Sequence, residues 1–141
     1  MSMHKVLISS CLLGQAVRYD AGNHGPFGLL QRWQSEGRVV ALCPEVAGGL
    51  PIPRPAAEIA GGQGTRVLDG LIPVLTEAGE DVSAAFLAGA AEAVRLAQLH
   101  GIRIAVLKAR SPSCGNLHNY DGSFSGRKVA GIGVTAAALQ R

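Results

Sequence analysis

The sequence predicts an α/β fold built on a mainly parallel sheet. Three short apolar runs rich in β-branched residues lie at 6–8, 39–42 and 102–107. The 31 residues between Cys11 and Cys43 match the length of a unit in which a helix joins two parallel strands. The composition, 48% hydrophobic with 19 glycines, is typical of a compact, loop-rich α/β enzyme. At 141 residues, we expect one domain spanning 1–141.

A strand, a helix and a second strand are predicted in the first third of the chain. Residues 5–9 are predicted to form the first strand, and residues 38–42 the second. Between them, a helix over 27–36 carries apolar residues spaced by three on one face, namely Phe27, Leu30 and Trp33. Gly37 is predicted to end this helix, because glycine readily adopts the left-handed conformation that closes a helix.

The middle of the chain is predicted to be less regular. Residues 48–64 contain five glycines and three prolines, so they are not expected to form one regular element. A proline-stiffened extended loop that presents Arg54 is expected there. Residues 66–72 predict a tight hairpin turning at Asp69 and Gly70, because Asp-Gly accepts the positive φ of a type I′ turn.

One long helix dominates the prediction for the second half. Asp81 is predicted to cap a helix that runs to His100. The final strand of the sheet is expected at 102–107, followed by a turn at 120–123. A short alanine-rich helix at 131–139 closes the chain.

Charge and hydropathy exclude several classes of protein. The net charge is +3, with ten arginines and three lysines, but no basic run exceeds two residues. The clustered basic and aromatic surface that long nucleic acids require is therefore not expected. No stretch approaches the ~20 apolar residues of a membrane helix, and the run at 6–8 is too short for a signal peptide. The glycines form no dinucleotide-binding pattern, and a cytoplasmic location is expected.

The three cysteines are the strongest indication of function. Cys11, Cys43 and Cys114 each lie at or beyond the downstream end of an apolar run. Because the carboxyl ends of parallel strands lie along one edge of a sheet, the three thiols are expected to converge there. Polar residues, prolines and a glycine flank them, which is typical of a site built from loops. Three thiolates are a soft ligand set suited to iron-sulfur clusters or zinc.

The residues alone leave several interpretations open. Free cysteine is often simply a small buried hydrophobic residue. Three thiolates with one bound water would also make an open catalytic zinc site of a hydrolase. A cluster carrier or redox sensor without catalytic activity would need the same ligands.

Several motifs resemble a known family, the bacterial thiouracil desulfidases. They are Cys-Pro-Glu-Val-Ala-Gly-Gly-Leu at 43–50, Pro-Arg-Pro at 53–55, Leu-Lys-Ala-Arg-Ser-Pro-Ser-Cys-Gly at 107–115 and Tyr-Asp-Gly-Ser-Phe-Ser-Gly at 120–126. The similarity runs from 10–14 to 131–135. It implies a Rossmann-like α/β domain with a 4Fe-4S cluster at the carboxyl ends of the strands. It also implies removal of sulfur from a thiolated pyrimidine without net redox change.

The resemblance also assigns roles to individual residues. By resemblance, Cys11, Cys43 and Cys114 hold the cluster, and one iron is left free of protein ligands to bind the sulfur of the substrate. Glu45 and a serine of the Ser-Pro-Ser-Cys motif are the catalytic candidates, with Ser111 favoured over Ser113.

A small anionic substrate is expected rather than a long RNA. Arginine matches phosphate with a bidentate fork, so Arg18 and Arg54 are candidate contacts for the phosphate of a thiolated uridine nucleotide. Arg54 could instead brace the proline loop. Asp20 could bind a pyrimidine N–H or serve as a second acid, and Ser113 is a further candidate for substrate binding.

Overall fold

The computed structural model describes residues 5–13, 28–108, 112–115 and 118–140. Within these ranges the strands are β1 (Val6–Ser9), β2 (Val39–Leu42), β3 (Ala57–Ile59), β4 (Val74–Thr76), β5 (Ile104–Val106), β6 (His118–Tyr120) and β7 (Lys128–Ala130). The α-helices are α1 (Gly28–Ser35), α2 (Pro44–Ala47), α3 (Gly64–Leu68), α4 (Ser83–His100) and α5 (Val134–Gln140). Two 3-10 helices lie at Ser10–Leu13 and Ala60–Gly62.

A three-stranded parallel sheet, in the order β2-β1-β5, confirms the predicted α/β class. Val6 lies opposite Val39 on one side and opposite Ile104 on the other. The central strand β1 is completely buried, as expected of a continuous apolar run inside a parallel sheet. Helix α1 confirms the predicted helix, and its residues Leu30 and Trp33 belong to the cluster packed on β1.

Two antiparallel strand pairs lie outside this sheet and were not predicted. Strand β3 pairs with β4, and β6 pairs with β7. Residues 57–59 were expected to be loop, and 102–107 was expected to hold the final strand. Each of these strands has only three residues, which is too short for alternating hydrophobicity to be recognised.

The hairpin predicted at 66–72 is wrong, because residues 64–68 form helix α3. Val67 is buried in a core cluster that also contains Ile59, Phe86 and Val134, so tertiary packing favours a helix here. Gly70 does adopt a positive φ of 73°, but it does so where helix α3 ends. The N–H of Leu71 donates to the carbonyl of Arg66 at this end.

The long helix α4 is confirmed and organises the second half of the fold. The N-cap residue is Val82 and not the predicted Asp81, whose carboxylate still accepts a 2.9 Å hydrogen bond from the N–H of Ser83. Gly101 ends the helix with a φ of 63°. Phe86 and Ala90 are buried against strands β3 and β4 and helices α3 and α5. No described helix is both long enough and apolar enough to cross a membrane.

Helices α2 and α4 approach each other closely at two glycines. A Cβ atom at Gly48 would overlap the carbonyl oxygen of Ala85, and one at Gly89 would overlap the carbonyl oxygen of Pro44. Only glycine allows this backbone contact. Helix α4 therefore supports the segment that carries Cys43 and Glu45.

We predict that Gly89→Ala destabilises the protein by about 1–3 kcal/mol, because the new methyl group forces α2 away from α4. Urea unfolding checks this, with the exposed Ala88→Ser on the same helix as the control, expected within about 0.5 kcal/mol of wild type. Equal stability of Gly89→Ala and wild type would contradict the close contact.

Candidate functional site

Cys11 and Cys43 follow neighbouring strands of the parallel sheet. Ser9, the last residue of β1, lies opposite Leu42, the last residue of β2, so the chain leaves both strands at the same edge. Cys43 comes directly after β2, at the N-cap of α2, and is half-buried. Cys11 is buried in the 3-10 helix that continues from β1. The sheet therefore places these two residues along its carboxyl edge.

The turn at 112–115, which carries Cys114, is held by the start of helix α5. The N–H groups of Val134 and Thr135 each donate 2.8 Å hydrogen bonds, to the carbonyls of Pro112 and Ser113 respectively. A Cβ atom at Gly133 would overlap the Ser113 carbonyl, so glycine is needed for this approach. Helix α5 therefore sets the position of Cys114.

Ser113 is completely buried and faces helix α5. Its Oγ lies 2.7 Å from Oγ1 of Thr135, which is equally buried. The Cys114 thiol also donates to Ser113 Oγ, at 3.9 Å. This geometry makes Ser113 a structural partner of the Cys114 turn. Sequence reasoning missed the role of Thr135, although a polar residue in the first turn of an alanine-rich helix was visible.

The surroundings of Cys114 include groups from two other segments of the chain. Burial raises the pKa of its thiol to about 12, and hydrogen bonds with Ser9 and Ser113 oppose this shift. Electrostatic repulsion from Glu45 and Cys43 raises the pKa further. Cys114 therefore lies close to the end of β1 and to the Cys43-Pro44-Glu45 segment. Ser9, which sequence reasoning did not select, also accepts a 2.9 Å hydrogen bond from the N–H of Lys108.

Glu45 pairs with Arg54 beside this site. Arg54 Nε donates to Glu45 Oε1 at 3.1 Å, and Arg54 Nη1 donates to the carbonyl of Pro51 at 3.1 Å. The Arg54 side chain is only 3% exposed. The sequence left two roles open for Arg54, contact with a substrate phosphate and bracing of the proline loop, and in the structure its guanidinium turns inward to a carboxylate. Bracing of the loop, the alternative role for this residue, matches the contact with Pro51.

The remaining predicted site residues are only partly covered by the structure. Arg18, Asp20 and Ser111 lie outside the described residues. None of the three cysteines forms a disulfide. Within the described ranges, no three His, Cys, Asp or Glu side chains are grouped so as to hold a metal ion.

We predict that Ser113→Ala costs about 1–3 kcal/mol of stability, because the buried Thr135 hydroxyl loses this partner. Adding Thr135→Val should recover part of the loss, since both hydroxyls are then replaced. Urea unfolding of the two single variants and the double variant measures this. Ser125→Ala is a matched control, because Ser125 shares an exposed 2.6 Å hydroxyl contact with Ser123. Additive losses in the double variant would contradict the coupling.

Comparisons with known proteins place the chain in a family. The model of the 2-thiouracil desulfurase family matches residues 6–141. The uncharacterized protein YbbK of Bacillus subtilis (strain 168) is 42% identical over 136 residues, which cover 96% of this chain and 89% of YbbK. The solved structure of TudS, a 4Fe-4S-dependent thiouracil desulfidase, is 47% identical with a TM-score of 0.89, and the match covers 99% of this chain and 86% of that one. The chain belongs to the 2-thiouracil desulfurase family.

Proposed function

We propose that this protein uses a 4Fe-4S cluster to remove sulfur from thiouracil or a thiolated uridine nucleotide. The products are the corresponding uracil compound and hydrogen sulfide. The observation that carries the proposal is the similarity to TudS over 99% of the chain. The reaction exchanges the sulfur of a thiocarbonyl for the oxygen of water, so it needs no electron donor or acceptor.

The cysteine donors fit such a cluster. Cys11, Cys43 and Cys114 are unpaired in disulfides, and the electrostatic contact of Cys43 with Cys114 supports a shared site. Each cysteine of a four-iron cluster binds a different iron, so the three thiols need not meet at one ion. When bound, the cluster supplies a thiophilic Lewis acid for the substrate sulfur. The neighbouring Ser9 and Ser113 hydroxyls would hydrogen-bond the Cys114 sulfur and help to set its position.

The architecture supports a cluster at the carboxyl edge of the sheet. Strands β1 and β2 end side by side, and Cys11 and Cys43 follow them directly. This agrees with a Rossmann-like arrangement in which ligands bind beyond the carboxyl ends of parallel strands. The family match over 6–141 supports a single domain. Action in the cytoplasm is proposed, since the three cysteines form no disulfide.

Glu45 is proposed as the general base. Its carboxylate lies close enough to Cys114 to affect that thiol electrostatically, and it is partly exposed, with 17% of the side chain accessible. A carboxylate in this position can take a proton from water as the water attacks the thiocarbonyl carbon. Ser111 is proposed to orient that water or to relay its proton. Asp20 is proposed to bind a pyrimidine N–H or to act as a second acid.

A nucleotide is the proposed natural form of the substrate. The chain carries ten arginines, and Arg18 is proposed to hold the phosphate. Arg54 is a weaker candidate for this role than the sequence indicates, because its guanidinium is already paired with Glu45. Long RNA is not expected as a substrate, since the chain has no extended basic run.

We predict that anaerobically purified protein is brown and contains about four irons and four acid-labile sulfides per chain. Replacing Cys11, Cys43 or Cys114 by serine should remove or weaken the cluster, because alkoxide is a poor substitute for thiolate. Metal analysis and the visible spectrum measure this, with Ser125→Ala as an iron-loaded control. Stoichiometric zinc without labile sulfide would instead support a zinc hydrolase. A full cluster without sulfide release would support a carrier or sensor.

We predict that Glu45→Gln keeps the cluster but lowers turnover by about 10²- to 10⁴-fold, because the amide cannot act as a base. Sulfide release from thiouracil, normalised to iron content, measures this. Glu92→Gln is the matched control, because Glu92 forms its ion pair with Arg95 on the surface of α4. This substitution should leave turnover unchanged. Near-normal turnover in iron-loaded Glu45→Gln would move the base to another residue, with Asp20 the first to test.

We predict that Arg18→Ala raises KM for thio-UMP and leaves KM for thiouracil unchanged, because only the nucleotide carries a phosphate. The advantage of thio-UMP in wild type should also fall with added salt, since exposed charges are screened over about 8 to 10 Å. Steady-state kinetics with thiouracil, thio-UMP and thiolated tRNA at two salt concentrations test this, with Arg95→Ala as the control. Equal efficiency with base and nucleotide would exclude a phosphate site.

A further inference from the structure

Arg54 is a buried cation whose location needs an explanation. Its side chain is 3% exposed, and a buried charge is costly unless it is paired and hydrogen-bonded. The 3.1 Å contact from Nε to Glu45 Oε1 supplies the opposite charge, and the Pro51 carbonyl accepts from Nη1. The contact with the Pro51 carbonyl alone would leave the positive charge of the buried guanidinium uncompensated. The location of Arg54 therefore depends on the Glu45 carboxylate.

The contact engages only one oxygen of the Glu45 carboxylate. Among the described residues, Arg54 donates to Oε1, and no hydrogen bond or ion pair to Oε2 is present. Glu45 also stays partly accessible, although Arg54 is enclosed. The guanidinium thus anchors one carboxylate oxygen and leaves the other available to a reacting group.

The surrounding backbone makes this anchor rigid. Glu45 lies in the first turn of α2, where the N–H of Ala47 donates to the carbonyl of Cys43 at 2.9 Å. The N–H of Leu50 donates to the carbonyl of Glu45 at 3.1 Å, so the chain turns back on itself after α2. This turn brings Arg54, nine residues after Glu45, next to the Glu45 side chain. Helix α2 is itself seated on α4 through the Pro44–Gly89 contact. The guanidinium therefore approaches the carboxylate from a fixed direction.

We propose that Arg54 is a positioning residue that holds the Glu45 carboxylate toward the cysteine site, with Oε2 left to receive the proton. This inference rests on the proposed function, in which Glu45 is the base. It replaces contact with a substrate phosphate as the role of Arg54. Glu45 lies in the first turn of α2, whose N-cap is Cys43, so its carboxylate is held next to that cysteine.

The kinetic test separates positioning from phosphate binding. In Arg54→Lys the charge stays, but the planar fork that reaches both Glu45 and Pro51 is lost. We expect kcat per cluster to fall by roughly 10²-fold, as for a catalytic group displaced by about 1 Å, and to fall equally for thiouracil and thio-UMP. A phosphate contact would instead raise KM for thio-UMP alone. That result, or an unchanged kcat, would overturn the proposal.

A second measurement does not depend on turnover. Thermal unfolding of the anaerobic, cluster-loaded protein is compared for Arg54→Met, Glu45→Gln and the double variant. Each single change leaves a buried partner without its counter-charge. If the two side chains are coupled, the Tm of the double variant should therefore fall by less than the two single decreases added together. Additive losses would overturn the pairing. Arg95→Met with Glu92→Gln is the control cycle, and this exposed pair should be close to additive.

The outcomes separate this inference from the proposed function. A wild-type protein that releases no sulfide from either substrate would overturn the proposed function, and the positioning role with it. An active wild type beside an equally active Arg54→Lys variant would overturn the positioning role alone. If Arg54→Met does not fold, Arg54→Lys still supplies the kinetic answer.

Discussion

The parallel pairing of β1 with its two neighbours is the constraint on which the site depends. Because β1 and β2 are parallel, the chain leaves both strands at the same edge, where Cys43 directly follows β2 and Cys11 lies in the 3-10 helix after β1. Strand β1 is buried on both faces, so a shift in its register would expose apolar side chains and is strongly disfavoured. The pairing of the two strands thus limits the separation of these two cysteines.

Two further contacts bring the remaining groups to that edge. Helix α4 supports the segment after β2 through the glycine contact at Pro44, and helix α5 holds the Cys114 turn through backbone hydrogen bonds and the Ser113–Thr135 pair. Both contacts require close backbone approach or complete burial of polar groups. These contacts fix the positions of the segments that carry Cys43 and Cys114.

Burial of the Arg54 guanidinium follows the same logic. A buried ion pair is weak support for stability, because desolvation offsets most of the attraction between the charges. Its value here is geometric, since it limits the directions that the Glu45 carboxylate can adopt. The more exposed pair of Arg95 and Glu92 on α4 has shorter contacts, of 2.6 and 2.8 Å, but no comparable constraint from its surroundings. An Arg–Glu ion pair therefore fixes the direction of its carboxylate when it is buried, but not when it is exposed.

The sequence by itself determined the features that depend on residues close together along the chain. The strands around 5–9 and 38–42, the long helix ending at His100 and the three strand-end cysteines could all be recognised locally, and the motifs identified the family. These features depend on side-chain periodicity, caps and short spacings, which operate within a few residues.

Only the tertiary structure decided the features that depend on distant partners. Residues 66–68 entered a helix because Val67 joins a core formed by segments far away in the chain. Ser113 became a buried partner of Thr135, and Arg54 turned inward to Glu45, although both were expected to face a substrate. Whether a polar side chain reaches solvent, a substrate or a buried partner depends on which segments pack around it. Local sequence does not encode that choice, because the burial that decides it exists only once the chain has folded.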